Sequence, residues 1–202
     1  SLPAPEEKLL QQQMISHTLQ DAGYLHIGMD HYVLPEDELA RALQEGRLQR
    51  NFQGYSLHMA DDLLGLGVSA ISQMGDFYLQ NVRELDAYYR LVESGQMPFT
   101  RGCKVNTEDK LRRYIIMSLI CDLRLDIGDC NRQFGIDFGT RFQEELAALE
   151  PMVRDGLLEI SDQELVVSQR GRPFLRNLCM PFDAYLNAHR GDRPAPGFSA
   201  TI

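Results

Sequence analysis

Asp30 and His31 stand side by side just after an apolar run, Tyr24–Met29, whose composition predicts a strand. A carboxylate next to an imidazole at a strand end is an acid/base or substrate-contacting pair. It is equally a pair of end residues satisfying nearby backbone groups. Arg47 and Arg50 follow, in a stretch that also holds Asn51, Gln53 and Tyr55. Guanidinium forks there would grip carboxylates through paired donors, or else serve as solvated loop charges. A second apolar segment, Leu66–Ser72, is expected as another strand, and its alternation sets Gly67, Ser69 and Ile71 on one face. A face of Gly and Ser ending in one branched side chain leaves room for a ligand across strand ends, while the alternative makes Ile71 a core aliphatic.

The elements that must position these residues begin with a helix predicted from Pro5 to Ala22, stopped by Gly23. After the first strand, Pro35-Glu-Asp-Glu opens a helix to about Glu45, its acidic first turn matching the helix dipole. Arg47 to Gly65 then reads as a long connection before the second strand. The order α-β-α-β is that of a parallel β/α layer, two strands of which cannot close a barrel alone. A loop through Gly75 and Asp76 leads to a helix predicted over 81–93, with Leu85, Tyr88, Tyr89 and Val92 as its buried stripe. Residues 96–106, with Pro98 and Gly102, read as a linker, which sets a domain boundary at 98–99.

Beyond it, Thr107-Glu-Asp starts a helix that is apolar almost all round from Tyr114 to Leu123 and is therefore expected at the centre of a core. A short turn or helix near Asp129–Phe134 follows. A further helix carries Phe138, Phe142, Leu146, Leu149 and Val153, with Gly156 as its cap. Leu157–Ile160 and Glu164–Ser168 predict a hairpin, and a last helix is expected over 171–187 before an extended tail. Three helices, a two-stranded wing and a helix form a winged-helix-like order.

Composition narrows the function. At 202 residues and 44% hydrophobic, without a run of membrane-spanning length, the chain is globular, and its N-terminus lacks the features of an export signal. A net charge of −9 argues against nucleic acid or an anionic membrane as partner of the whole chain. Although Gln169-Arg-Gly-Arg and Arg176 are basic, the helix that would enter a DNA groove carries Glu144, Glu145, Glu150 and Asp155 against Arg141 and Arg154. The four cysteines, Cys103, Cys121, Cys130 and Cys179, form no C-x-x-C pair and read as reduced, buried or half-buried thiols of a cytoplasmic protein. His17, His26, His58 and His189 lack metal-ligand spacing and read as structural or solvent-exposed.

The strings IGMDHY, RNFQGY and GVSAIS, continued by SLICDLRLD, VVSQRGRPFLRN and LCMPFDAYL, are similar in order and spacing to the oxygen-independent coproporphyrinogen III oxidases, radical S-adenosylmethionine enzymes of haem biosynthesis. The resemblance runs over nearly the whole chain from about Leu2. It implies the last β/α units of an incomplete radical barrel over 1–98 and a helical, winged-helix-like C-terminal domain over 99–202. It further implies oxidative decarboxylation of two propionates of coproporphyrinogen III to vinyls in a complete enzyme, with S-adenosylmethionine and a [4Fe–4S] cluster as cofactors. The C-x-x-x-C-x-x-C that carries the cluster belongs to a preceding region this sequence does not contain, so the chain is expected to hold no metal ligand and no catalytic residue, and to be inactive alone.

By the same resemblance Ile71 contacts S-adenosylmethionine, with Gly67 and Ser69 beside it, and the strand end with Asp30 and His31 faces the reaction chamber. Arg47 and Arg50 are the candidate substrate contacts because a tetracarboxylate needs cationic forks. The missing N-terminal region is the implied partner. Related haem chaperones and a winged-helix interaction domain are the alternatives. Ala200 departs from the basic residue expected after Phe-Ser in such tails.

Overall fold

The computed structural model describes residues 3–57 and 62–188, which leaves His58, His189 and the tail with Ala200 outside the described residues. The chain forms two compact units: residues 1–50, 55–57 and 111–202 make the first, and residues 51–54 and 58–110 the second. This division does not coincide with the boundary expected at 98–99, because the N-terminal segment packs with the C-terminal helices. No described helix is long and apolar enough to cross a membrane.

The first unit opens with α1 (Pro5–Asp21), led by Pro5 and acidic Glu6 and Glu7 as the helix dipole favours. Then come β1 (Leu25–Gly28) and β2 (His31–Val33), an antiparallel hairpin with a register shift between His26 and Gly28. The bulge explains the left-handed backbone of Met29, φ 47°, at the tip. Asp37 caps α2 (Glu38–Gln44) by accepting from the Leu39 N–H at 2.8 Å. The stretch expected as a long connection instead folds into a hairpin of β3 (Gln49–Asn51) and β4 (Gly54–Ser56).

The second unit holds an antiparallel sheet in the order β5 (Ile71–Met74), β6 (Phe77–Asn81), β7 (Phe99–Lys104), with α3 (Leu85–Glu93) between the last two strands. Three expectations are corrected here. The loop after Ser72 is a tight hairpin turn at Gly75, followed by a strand rather than a helix start. The linker 96–106 contains β7. The segment Leu66–Ala70 is no strand at all: Gly67 and Ser69 have φ of 96° and 57°, which no extended chain adopts. Among the described residues the parallel layer expected from α-β-α-β does not form, since β1 pairs with β2 and β5 with β6, both antiparallel.

The chain returns to the first unit along α4 (Thr107–Asp122), whose Leu111, Ile115 and Leu119 are buried as the all-round apolar pattern requires. A strand the sequence reading lacked, β8 (Arg124–Asp126), precedes α5 (Ile127–Phe134). The next predicted helix is split at Phe142 into α6 (Phe138–Arg141) and α7 (Gln143–Arg154). The expected hairpin is β9 (Leu158–Ile160) and β10 (Glu164–Val167), and β8 joins it as a third strand in the order β8-β10-β9. The single last helix is instead two 3₁₀ turns alternating with α8 (Leu175–Cys179) and α9 (Ala184–Ala188), because Pro173 and Pro181 cannot continue a helical hydrogen-bond ladder. Phe138, Phe142, Leu149, Leu165, Leu178 and Phe182 close the main core, and Ile27, Ala42, Leu48 and Cys121 form a smaller cluster beneath β1 and α2.

Candidate functional site

The hairpin tip of the first unit gathers several of the residues singled out for chemistry. His31 Nδ1 lies 3.0 Å from Asp30 Oδ1, so the ring donates to the carboxylate from that nitrogen. The expected position at a strand end of a parallel layer is replaced by a hairpin tip: Asp30 is in the turn and His31 begins β2. The His31 ring meets the Tyr55 ring edge-on, with centroids 5.0 Å apart at 81°. Arg50 lies over the same ring, its guanidinium carbon 5.3 Å from the centroid. Asp30, His31 and Arg50 are thus brought together around Tyr55. Arg47 is not among them and pairs with Glu45 instead.

Tyr55 sits at the centre because β4 carries it inward against α4. Its hydroxyl donates to the Ile120 carbonyl at 3.2 Å. A Cβ at position 28 would stand 2.1 Å from that hydroxyl, so Gly28 is what lets the ring approach the hairpin. Burial, with the nearby Cys121 thiol adding to it, raises the Tyr55 pKa and keeps the phenol neutral. Arg50 Nη1 is buried without a hydrogen-bond partner. A half-buried guanidinium with an orphaned donor, beside a neutral phenol and an imidazole, suits a carboxylate or another oxyanion.

His26 supports this tip from behind. Its ring stacks on Tyr32 at 4.6 Å, and Nε2 lies 2.8 Å from the Met29 carbonyl, so Nε2 carries the proton and donates. Burial lowers the His26 pKa. The Arg172 Nη1 donates to the His26 carbonyl at 3.2 Å.

Gly67, Ser69 and Ile71 belong to the second unit, in a loop organised by two buried polar side chains. Asn81 Nδ2 donates to the carbonyls of Gly65 and Gly67 at 3.1 and 2.8 Å, and the Gly65 N–H donates to Ser72 Oγ at 3.0 Å. The Gly67 N–H donates to the Tyr88 hydroxyl, and the Ser69 N–H to the Val82 carbonyl. Ile71 is half-buried at the start of β5, opposite Gln80. The shared strand face inferred for Gly67, Ser69 and Ile71 is replaced by a turn followed by one strand residue.

The sequence reading missed Tyr55, Ser72 and Asn81 as organising residues. Tyr55 was visible only as one donor in a polar stretch. Asn81 carries a usable signal, an amide closing the apolar-rich run Phe77–Leu79, where only a backbone partner makes burial tolerable. Among the described residues no group of His, Cys, Asp or Glu could hold a metal ion. Cys121, Cys130 and Cys179 are buried, while Cys103 is exposed, contrary to expectation. Burial pushes the Cys121 and Cys179 thiols up to about 12 and Cys130 to about 11. Thiols held protonated do not suit an iron–sulfur cluster, which takes thiolates.

Residues 105–174 match the family described as the HemN C-terminal domain. The chain is 47% identical over 187 residues to an oxygen-independent coproporphyrinogen III oxidase of Salmonella typhimurium, an alignment covering 92% of this chain and 40% of that protein. It is 45% identical over 185 residues to the enzyme of the same name from Pseudomonas aeruginosa, again with 92% and 40% covered. A solved structure described as coproporphyrinogen III oxidase from Escherichia coli, a radical SAM enzyme, superposes with a TM-score of 0.86 at 45% identity, covering 92% of this chain and 43% of that one. The chain therefore spans about two-fifths of the length of these curated relatives.

Proposed function

We propose that this chain, a homologue of part of the oxygen-independent coproporphyrinogen III oxidases, serves as one side of the reaction chamber in an enzyme that oxidatively decarboxylates two propionates of coproporphyrinogen III to vinyls. The observation that carries this reading is the 45–47% identity sustained over 92% of the chain. The Arg50–Tyr55–His31 cluster adds a chemical reason, because a tetracarboxylate needs cationic and neutral donors, and Arg50 has one buried donor to spare. Asp30 orients His31 toward that role, while Arg47, tied to Glu45, would have to exchange partners to join it.

Ile71, with Gly67 and Ser69, is proposed to bound the S-adenosylmethionine of the complete enzyme through apolar contact. The backbone hydrogen bonds around Asn81 support a loop rigid enough to hold that wall. The cysteines of this chain do not fit the cluster, so no step of the reaction is assigned to them, and the chain by itself is proposed to be inactive and to work in the cytoplasm beside a radical-generating region such as the larger relatives carry. Residues 1–98 would adjoin the barrel of the larger relatives. Within residues 99–202 the part that lies in the first unit would form a winged-helix-like domain, a reading supported by the order α4, β8, α5, α6/α7, β9, β10 and its three-stranded sheet, while β7 belongs to the second unit.

Transplanting the chain into the matching region of the Salmonella relative tests the proposal. The chimera is expected to convert coproporphyrinogen III, and Ile71→Asp within it to abolish turnover. A folded chimera loaded with its cluster yet unable to turn over would refute the reading. Turnover by the isolated chain with S-adenosylmethionine, reductant and substrate would refute the inactivity.

A further inference from the structure

Within the first unit a cleft of about 420 Å³ opens between α1, the β1–β2 hairpin and the turn that carries Gln169-Arg-Gly-Arg. That volume is in the range of small-molecule sites. The charge of its lining is unlike the rest of the chain. Arg170, Arg172, His17 and His26 face it together with glutamine amides, and among the described residues no carboxylate does, although the chain carries 29 acidic against 20 basic residues. Gln12 reaches the same cleft with its Oε1 buried and unpaired, and rotation of that amide presents an N–H₂ in its place. Leu9, Pro173 and Phe174 supply apolar wall, and the stacked His26–Tyr32 rings supply a flat one.

The two arginines are placed by a turn with little freedom. Ser168 Oγ donates to the Gly156 carbonyl at 2.7 Å and accepts from the Gly171 N–H at 3.1 Å. A Cβ at position 171 would stand 2.0 Å from the Leu157 carbonyl oxygen, so only glycine lets the turn lie down there. Arg172, half-buried, spends one N–H on the His26 carbonyl and forms no ion pair among the described residues. A guanidinium has five N–H donors, so most of its binding capacity is left for a ligand. Two arginines on one tightly held turn, Arg172 anchored to the His26 carbonyl and Arg170 beside it, next to a flat aromatic wall, form an oxyanion seat.

We propose that this cleft binds a small organic oxyanion, a carboxylate or a phosphate on a flat apolar body, with Arg170 and Arg172 on the anionic group and the body against His26 and Tyr32. The site lies wholly in the first unit and does not depend on the oxidase reading. Calorimetric titration of the 202-residue chain with phenylpropionate and with phenyl phosphate tests it, with benzyl alcohol as the neutral control.

Saturable binding of at least one anion is expected, with the better binder identifying carboxylate or phosphate as the natural group. Both Arg172→Gln and Arg170→Gln should weaken it about tenfold or more, the scale of a charge-assisted hydrogen bond. Arg170 lies exposed on the turn, so its variant keeps the test valid if Arg172→Gln fails to fold. No saturable binding of either anion, equal binding of benzyl alcohol, or binding unchanged in a folded Arg170→Gln variant would overturn the proposal.

Discussion

The two units are stabilised by opposite means. In the first, aromatic and aliphatic side chains fill a continuous interior, with Phe138, Phe142 and Phe182 in mutual ring contact at 4.9 to 6.4 Å. In the second, Val105 is the one large aliphatic side chain buried among the described residues, and the buried Ser72 and Asn81 are polar. Its apolar side chains are turned outward instead: Leu66 is 80% exposed and Leu85 56%, with Tyr89 and Val92 beside Leu85 on α3. One unit keeps its shape by excluding water, the other by directing backbone groups with side-chain amide and hydroxyl. The exposed α3 residues fit the proposal that this unit works beside a further region of a larger enzyme, although α1 of the first unit also exposes Leu10, Met14 and Ile15.

The sharpest way to break the comparison is to attack the first interior. Phe142→Ala removes a fully buried ring that touches Phe138 and Phe182 and lies under the Arg112 guanidinium at 5.3 Å. A loss of about 3–5 kcal/mol is expected in urea unfolding followed by far-UV circular dichroism, the usual cost of a phenylalanine cavity. An equally large loss from a polar substitution in the second unit would remove the contrast.

That substitution is Asn81→Leu. It strands the Gly65 and Gly67 carbonyls, whose unmet hydrogen bonds cost about 1–3 kcal/mol between them. Amide hydrogen exchange should show the loss as faster exchange at residues 65–72, with residues 111–182 unchanged. Uniform acceleration over the whole chain would mean the two units unfold as one. Within the first unit Tyr55→Phe keeps the ring but deletes the donor to Ile120, and about 1 kcal/mol is expected, read as a lowered thermal midpoint.

How far each unit was legible from sequence follows the same contrast. The helices of residues 107–154 and the β9–β10 hairpin were readable because apolar spacing, acidic first turns and Gly156 all point to the same elements. The first strand was readable for its composition. The β1–β2 and β3–β4 hairpins were not, since strands of three or four residues offer too few alternations to count. The Gly67–Ser69 turn was misread as a strand because apolar neighbours imitate alternation, while the positive φ that breaks it is a property of backbone and tertiary contacts. The α3 stripe lies where expected along the helix, but of its residues only Tyr88 is half-buried, and Leu85, Tyr89 and Val92 are exposed. Periodicity says which face is apolar, never what covers it. At the site, Asp30, His31 and Arg50 were legible by type, but Tyr55, which joins them, could not be ranked without knowing that Gly28 clears its path.

Acid should weaken the first unit through His26. Its folded pKa is lowered below the ordinary 6.5, mainly by burial, so the unfolded chain binds the proton more readily. The stabilising contribution is fully present above pH 6.5 and is lost as pH falls through the lowered folded value. The thermal midpoint is therefore expected to drop between pH 7.5 and 5.5, and His26→Gln should reduce that drop. An unchanged pH slope in the variant would assign the effect elsewhere.

The smallest expected effect is the one that separates the units most cleanly. Leu85→Ser and Val92→Ser each trim an apolar side chain that is already largely in water on α3, so there is little burial to forfeit. Each should change the stability of this chain by no more than about 0.5 kcal/mol, the range of ordinary surface substitutions. Thermal melts at two protein concentrations check this, because a face covered by a second copy would make the midpoint depend on concentration and the loss larger. If this face adjoins a further region as proposed, the same substitutions in the chimera with the Salmonella relative should lower stability by more than they do here. Equal, small effects in both settings would show that the outward face of the second unit is not an interface, and its polar interior would then be a means of folding with little core rather than of waiting for a partner.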